Sequence, residues 1–423
     1  MRADLVVIGA GALGLSTALH AALTGKSVVV VDAHTAGSQA SGRAAGLFKS
    51  VQADELRTWL ARRSIERAIS FADWAGAELE VNRSGSFLIA RTDEHRAYLR
   101  TEADQSGTWG VDVSQASPGQ LAERLSYYHG NGHELALWCP EDIYIEEPMS
   151  LVQAYVAACR THGVEILETE PVTGITLSGG KVAGVQTTAQ TIDTRLAVDA
   201  AGAWTRQLAD LAGGRVCVAP VRHQLAITEP SAAINPDDPI CRVVDAAVYL
   251  RPARGGMMAG GFEQAPLPVD PRGATPSAGP ASFTTDDVPL DLAVLRKLAE
   301  QVESEVPQAT GLKVAEHRGG MFTMSPDGRF VAGPVPEVPG LWTATGCNGS
   351  GFSSSLGLGE ALAEWIVADP PSPRIAALAP ARFGPITDDD LIKAGIWQYA
   401  HYYDSAGSSP PALRAFGEGL RRS

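Results

Sequence analysis

Four aliphatic residues, Leu5–Ile8, run into three glycines, Gly9, Gly11 and Gly14, and the next aliphatic run, Val28–Val31, ends at Asp32, 18 residues after Gly14. Residues of these types at this spacing can hold a dinucleotide. Gly9 would make a tight turn, Gly11 would let the backbone approach a pyrophosphate, and Gly14 would let a helix pack close to a strand. The helix N-terminus would offer N–H groups and positive dipole to the anion, and Asp32 would accept hydrogen bonds from ribose hydroxyls. The chemistry open to such a site is redox transfer through a bound nucleotide. The glycines do not choose between nicotinamide and flavin dinucleotides, although an N-terminal position in a chain of this length favours FAD.

The elements that must position these residues are a buried strand at 5–8, a turn, an Ala/Leu-rich helix over 12–24 that closes before Gly25, and a buried strand at 28–31. They belong to a chain of 423 residues with 45% hydrophobic content, enough for two or three domains with real cores. The net charge of −14 leaves no basic face for a phosphate backbone, so nucleic acid is excluded as a partner. No apolar run reaches the roughly 18 residues that span a bilayer. The first predicted strand begins where a signal peptide would stand, which reads as a cytoplasmic protein. Cys139, Cys159, Cys217, Cys241 and Cys347 have no ligand spacing and read as reduced thiols, with no metal site.

After Asp32 comes AHTAGSQASGRAAGLFKS, which contains Ser41, Arg43, Ala44, Ala45 and Gly46. Side chains this small suit a backbone lying against a flat ring. Here the sequence resembles the D-amino-acid oxidase superfamily of flavoproteins, closest to its sarcosine and dimethylglycine dehydrogenase and oxidase branch. Four further segments carry the resemblance: DIYIEEPMS (142–150) with a helix over 151–162 and a meander after it, LAVDAAGAWTRQLADLAG (196–213), APVRHQLAITEP with VYLRPARGGMMAGGFE (219–263), and residues 317–366 around MFTMSPDG and GCNGSGF. It covers about residues 4–384. An NAD-binding dehydrogenase or a nonenzymatic nucleotide module would instead continue as a simple βαβ series after Asp32, without long β-rich insertions.

The resemblance implies an α/β (α+β overall) fold with a discontinuous Rossmann-like FAD domain (1–90, 145–215 and 325–384) and an antiparallel-sheet substrate domain (91–144 and 216–324). Residues 385–423 form an extension outside the family pattern. Val172 resembles the position whose backbone faces adenine, and Gly202 centres a second cofactor turn. Gly349, Ser350, Gly351 and Phe352 form a loop leading into an amphipathic helix. The Pro/Gly-rich run 265–280 reads as a surface loop or lid. The aromatic stretch IWQYAHYYD (396–404) must bury its rings on its own domain, at the pocket entrance, or against a partner in a homo- or hetero-oligomer.

Relatives tether FAD through a histidine or a cysteine, and those positions here are Arg43 and Gly320, which implies noncovalent FAD. Sarcosine-oxidase relatives carry a lysine over the flavin that helps oxygen accept electrons, and the matching Met258 favours a dehydrogenase with another acceptor over an oxidase. The familiar carboxylate clamps are replaced by Phe322, Leu47 and Ser353. Lys49 is the nearest replacement cation, an exposed lysine being the other reading. Tyr249 reads as a pocket or a core tyrosine, and His223 as a substrate or flavin contact or a structural histidine. Arg318 and His317 are weaker candidates. The implied reaction is oxidation of a C–N bond in a small secondary amine or N-alkyl amino acid to an imine that hydrolyses. The alternatives are oxidation of a primary amino acid or specialised biosynthetic amine, and a flavin subunit that needs partner chains.

Overall fold

The structure, a computed structural model, describes residues 1–273, 282–367 and 374–403. Leu5–Ile8 and Val28–Val31 are buried at every position and pair in parallel, as continuous aliphatic runs do when both faces of a sheet are covered. Ala197–Asp199 and then Leu341–Thr345 extend the sheet in parallel on one side. Glu165–Leu167 adds a parallel edge on the other, and Val331–Pro334 closes the first edge antiparallel. The result is a six-stranded sheet.

The helix Ala12–Leu23 begins directly after the glycine turn and packs against the helix Ser355–Val367, which also contacts Glu55–Ile69. A Cβ on Gly359 would overlap the Ser16 side chain, so small residues set the closeness of the first pair. The expected amphipathic character of Ser355–Val367 is not found: residues 355–363 are buried all round, because helices lie on both sides of them. Glu360 is buried among them and is matched by Arg63, with Nε 2.6 Å from its carboxylate, and by Arg67.

An eight-stranded sheet faces the first. Its order is Val314–Met324, Ala219–Thr228, Gly256–Gly261, Val248–Ala253, Ile240–Val243, Ser86–Ala90, Leu135–Cys139 and Ser114–Ala116. Ile240–Val243 and Ser86–Ala90 are its one parallel pair. A boundary at residue 90 therefore misplaces Ser86–Ala90: this strand hydrogen-bonds on both edges into the eight-stranded sheet and belongs with it. A small antiparallel meander, Val172–Ser178, Lys181–Thr187 and Thr191–Asp193, lies beside the parallel sheet.

Of the 265–280 run expected as a surface loop or lid, residues 274–280 lie outside the described residues. The helix Asp388–Ala400 packs on Ala219–Thr228 and Val314–Met324. Gly395 permits this approach, since a Cβ there would stand 2.8 Å from the Ala219 Cβ. Among the described residues no helix is long and apolar enough to cross a membrane.

Candidate cofactor and substrate site

A continuous cavity of about 550 Å³ runs between the two sheets. One end is walled by Gly9, Gly11, Asp32, Val172 and Gly202, the middle by Ser41, Arg43, Ala44, Ala45 and Gly46 facing Gly349, Ser350, Gly351 and Phe352. The far end holds Lys49, His223, Tyr249 and Phe322. The cavity thus brings together every sequence-predicted site residue except Gly14, Met258 and His317.

The nucleotide end is built by the glycines. Gly9 has φ +112°, and a Cβ on it would lie 2.5 Å from the Ala200 carbonyl oxygen. Gly14 does not line the cavity; a Cβ there would overlap the Gly9 carbonyl oxygen, so its role is to let helix and turn close together. Gly11 caps the helix without a side chain, and the first turn carries no acid. The initial N–H groups have no partner within the helix, and one, on Ala12, donates to Ser41 Oγ at 3.0 Å. The Asp32 carboxylate accepts from the Ala10 N–H at 2.6 Å and the His34 N–H at 2.8 Å. Those bonds fix its orientation, while burial raises its pKa above the ordinary value. An uncapped helix end without acids, a glycine cradle and an oriented carboxylate fit a dinucleotide.

Behind the 41–46 segment stands Arg251, which sequence reasoning missed. It is fully buried and donates to the Ala45 carbonyl at 3.1 Å, to the Glu146 carbonyl at 3.1 Å and to the Pro252 carbonyl at 2.7 Å. Its guanidinium stacks 4.5 Å from the Tyr144 ring, and burial brings its pKa down to about 10. The available signal was a lone arginine in the apolar strand VYLRPA. Arg43 lies at the cavity wall and pairs with Asp286 at 2.7 Å.

At the far end His223 is clasped between two tyrosines, with Nε2 2.8 Å from Tyr249 Oη and Nδ1 2.7 Å from Tyr399 Oη. Its ring stacks on Phe322 at 4.2 Å between centroids. Burial lowers its pKa to about 3, so the imidazole is neutral. Tyr249 is buried too, and burial pushes its hydroxyl far above the ordinary phenol range. Both residues therefore line the cavity and pack in the interior at once.

Lys49 is not the exposed lysine of the alternative reading. Its side chain is 15% exposed, its Nζ lies 3.5 Å from Glu102 Oε2, and Tyr98 donates to the other Glu102 oxygen at 2.5 Å. Arg242, another lining cation, is 3.0 Å from buried Asp142. Arg318 also lines the cavity and pairs with Glu316 at 2.5 Å, whereas His317 is not among the lining residues.

Met258 is a correction. It is completely buried in an apolar cluster with Leu225, Ile227, Tyr249 and Ala253 that packs against Ala45 and Leu47, and it is not among the lining residues. The register sets Met258 opposite Arg251 and Ile227 in the adjoining strands, on the same sheet face as Tyr249, where its neighbours rather than its side chain border the cavity. The aromatic tail follows two of its expected placements at once, on its own domain and at the cavity. Tyr399 and Tyr403 are buried within the chain, and Tyr402 and Tyr403 line the cavity.

A mainly parallel sheet with a glycine-cradled helix end, joined through one cavity to a mixed sheet carrying a polar-aromatic chamber, defines a dinucleotide-dependent oxidoreductase. A family model described as FAD dependent oxidoreductase (DAO) matches residues 4–365, and the chain belongs to that family. Its cofactor is FAD.

The chain is 28% identical over 383 residues to 4-methylaminobutanoate oxidase (formaldehyde-forming) of Paenarthrobacter nicotinovorans, covering 89% of this chain and 45% of that protein. It is 26% identical over 405 residues to human mitochondrial dimethylglycine dehydrogenase, covering 93% and 46% respectively. It thus spans less than half the length of these curated relatives. Among solved structures, L-proline dehydrogenase from P. horikoshii superposes with a TM-score of 0.80 at 22% identity, covering 90% of this chain and 98% of that one, a likeness of fold.

Proposed function

We propose that this chain oxidises the C–N bond of a secondary amine or N-alkyl amino acid. The amine loses a hydride from carbon and a proton from nitrogen, and water cleaves the resulting imine to a carbonyl compound and a smaller amine. FAD, when bound, accepts the hydride. One observation carries this reading: among the described lining residues Asp32, at the nucleotide end, is the only carboxylate, and the histidine of the far chamber is held neutral by burial. Such a chamber has no base suited to abstracting a carbon-bound proton, but it can orient a neutral amine.

In this reading Tyr249 hydrogen-bonds the amine or its carboxylate. Lys49, already half matched by Glu102, supplies the cation for a carboxylate, and Phe322 walls the chamber on the apolar side. Gly9, Gly11, Asp32, Ser41, Val172, Gly202 and the 349–352 loop hold FAD, and Arg251 fixes the Ala45–Gly46 backbone against which the ring system lies. Arg43 and Gly320 offer no histidine or cysteine nucleophile, so the cofactor is held without a covalent bond. Each lining cation noted above faces a carboxylate, which leaves none free to stabilise reduced oxygen and supports an acceptor other than oxygen.

The test is anaerobic titration of the holoenzyme with N-methyl amino acids and then with primary amino acids, followed by readmission of air. Bleaching of the flavin band by the N-methyl series is expected, with slow recovery in air. Lys49→Met should weaken binding of the carboxylate-bearing amines roughly tenfold, about 1.4 kcal/mol. Bleaching by primary amino acids alone would reassign the substrate class, and no bleaching by either would sink the reading.

A further inference from the structure

We infer that residues 388–403, beyond the stretch matched by the family model, form one wall of the substrate chamber and limit the size of the N-substituent it admits. This rests on the amine-oxidation reading above. Tyr402 and Tyr403 both line the cavity. Tyr402 stacks on Phe262 with ring centroids 3.9 Å apart and planes 9° from parallel, and Tyr403 meets Tyr402 edge-on at 4.9 Å.

The cofactor loop is shaped around the same ring. A Cβ on Gly349, whose φ is +83°, would lie 3.5 Å from the Tyr402 ring and 3.2 Å from Phe322. Lys49 Nζ stands 6.0 Å from the Tyr403 ring, so the tail also borders the cation that would receive a carboxylate.

The placement is held along the length of the segment. Asp388, at the helix start, binds Arg206 and accepts from Arg272 at 2.6 Å. Gln398 donates to the Pro326 carbonyl at 2.9 Å, and Tyr399 Oη lies 2.7 Å from His223 Nδ1. Tyr399 acts through His223 and is a positioning residue. Tyr402 presents its ring to the chamber and is the residue that sets its depth. Two stacked rings with their rotamers fixed by packing make a wall that yields little to a larger ligand.

The test compares Tyr402→Ala, Tyr402→Trp and Trp397→Ala as holoenzymes. Trp397 stacks on His401 at 4.3 Å in the same segment but does not line the cavity, so it controls for docking of the tail. Two quantities are read: the ratio of dissociation constants for N-benzylglycine and N-methylglycine from anaerobic flavin reduction, and the quenching of flavin fluorescence by iodide, which needs no turnover.

Tyr402→Ala is expected to shift the ratio at least tenfold towards the benzyl compound and to raise the quenching constant several-fold. Tyr402→Trp is expected to shift the ratio the other way, which keeps the test readable if the alanine variant folds poorly. Trp397→Ala is expected to match the wild type. Unchanged ratio and quenching in both Tyr402 variants overturn the inference while leaving amine oxidation intact. If no amine reduces even the wild type, that reading falls, and quenching alone still decides whether the wall exists.

Discussion

His223 shows how far one side chain's chemistry is set by what surrounds it. Its two ring nitrogens face the hydroxyls of Tyr249 and Tyr399, and Phe322 and Phe262 pack on the ring, so burial alone acts on its charge among the described residues. Its pKa of about 3 lies below the 6.5 of a free histidine. Between those values the unfolded chain binds a proton that the folded chain refuses. The stability linked to His223 is therefore complete above pH 6.5 and is lost as the pH falls towards 3. Thermal denaturation followed by circular dichroism should show Tm declining from pH 7 to 5 with a slope that His223→Gln reduces by about one proton. The rate of flavin reduction should keep its pH inflection in that variant, because the titrating group is the substrate amine. An inflection near 6.5 that vanishes with His223 would refute this.

At the scale of elements, the turn between Leu5–Ile8 and Ala12–Leu23 depends on close approach. Gly14→Ala places a Cβ on the Gly9 carbonyl oxygen, so helix and turn must separate. The expected result is a loss of FAD affinity of about 100-fold, roughly 2.7 kcal/mol, measured by fluorescence titration of apoprotein. Wild-type affinity would show that the helix can shift without disturbing the cradle. This unit was legible because its signals are local: four aliphatics, three glycines, a helix-forming run and a terminal acid each act on near neighbours. The cavity-facing positions of Tyr249 and His223 were half legible, since strand alternation fixes a face but not what lies across it. The assignment of Ser86–Ala90 to the second sheet was not legible, because its partners lie about 50 and 150 residues away and strand sequence carries no address. Arg251 was hidden for the same reason, since its value lies in contacts with Ala45, far off in the chain, whereas the tail tyrosines announced that they must be buried but not that Phe262 would receive them.

For the whole molecule, the cavity takes its walls from both sheets, so a bound cofactor ties them together. Removal of FAD should lower Tm by several degrees, since a ligand at about 100 times its dissociation constant contributes roughly 2.7 kcal/mol. Acid precipitation should leave the yellow colour in the supernatant, and colour retained in the pellet would mean a covalent link after all. The order of the parallel sheet has one more consequence. Its central strands, Leu5–Ile8 and Ala197–Asp199, are completed only by Leu341–Thr345, more than 140 residues further on. Closing loops of that length before any pairing is rewarded makes such a topology slow to form. On the ribosome, the glycine cradle therefore emerges well before its sheet can close: Leu5–Ile8 and Val28–Val31 stay unpaired on one side until residues 165–199 are made, and Ala197–Asp199 until Leu341–Thr345 follows. That interval is when this protein is most exposed to aggregation and most in need of a chaperone's protection.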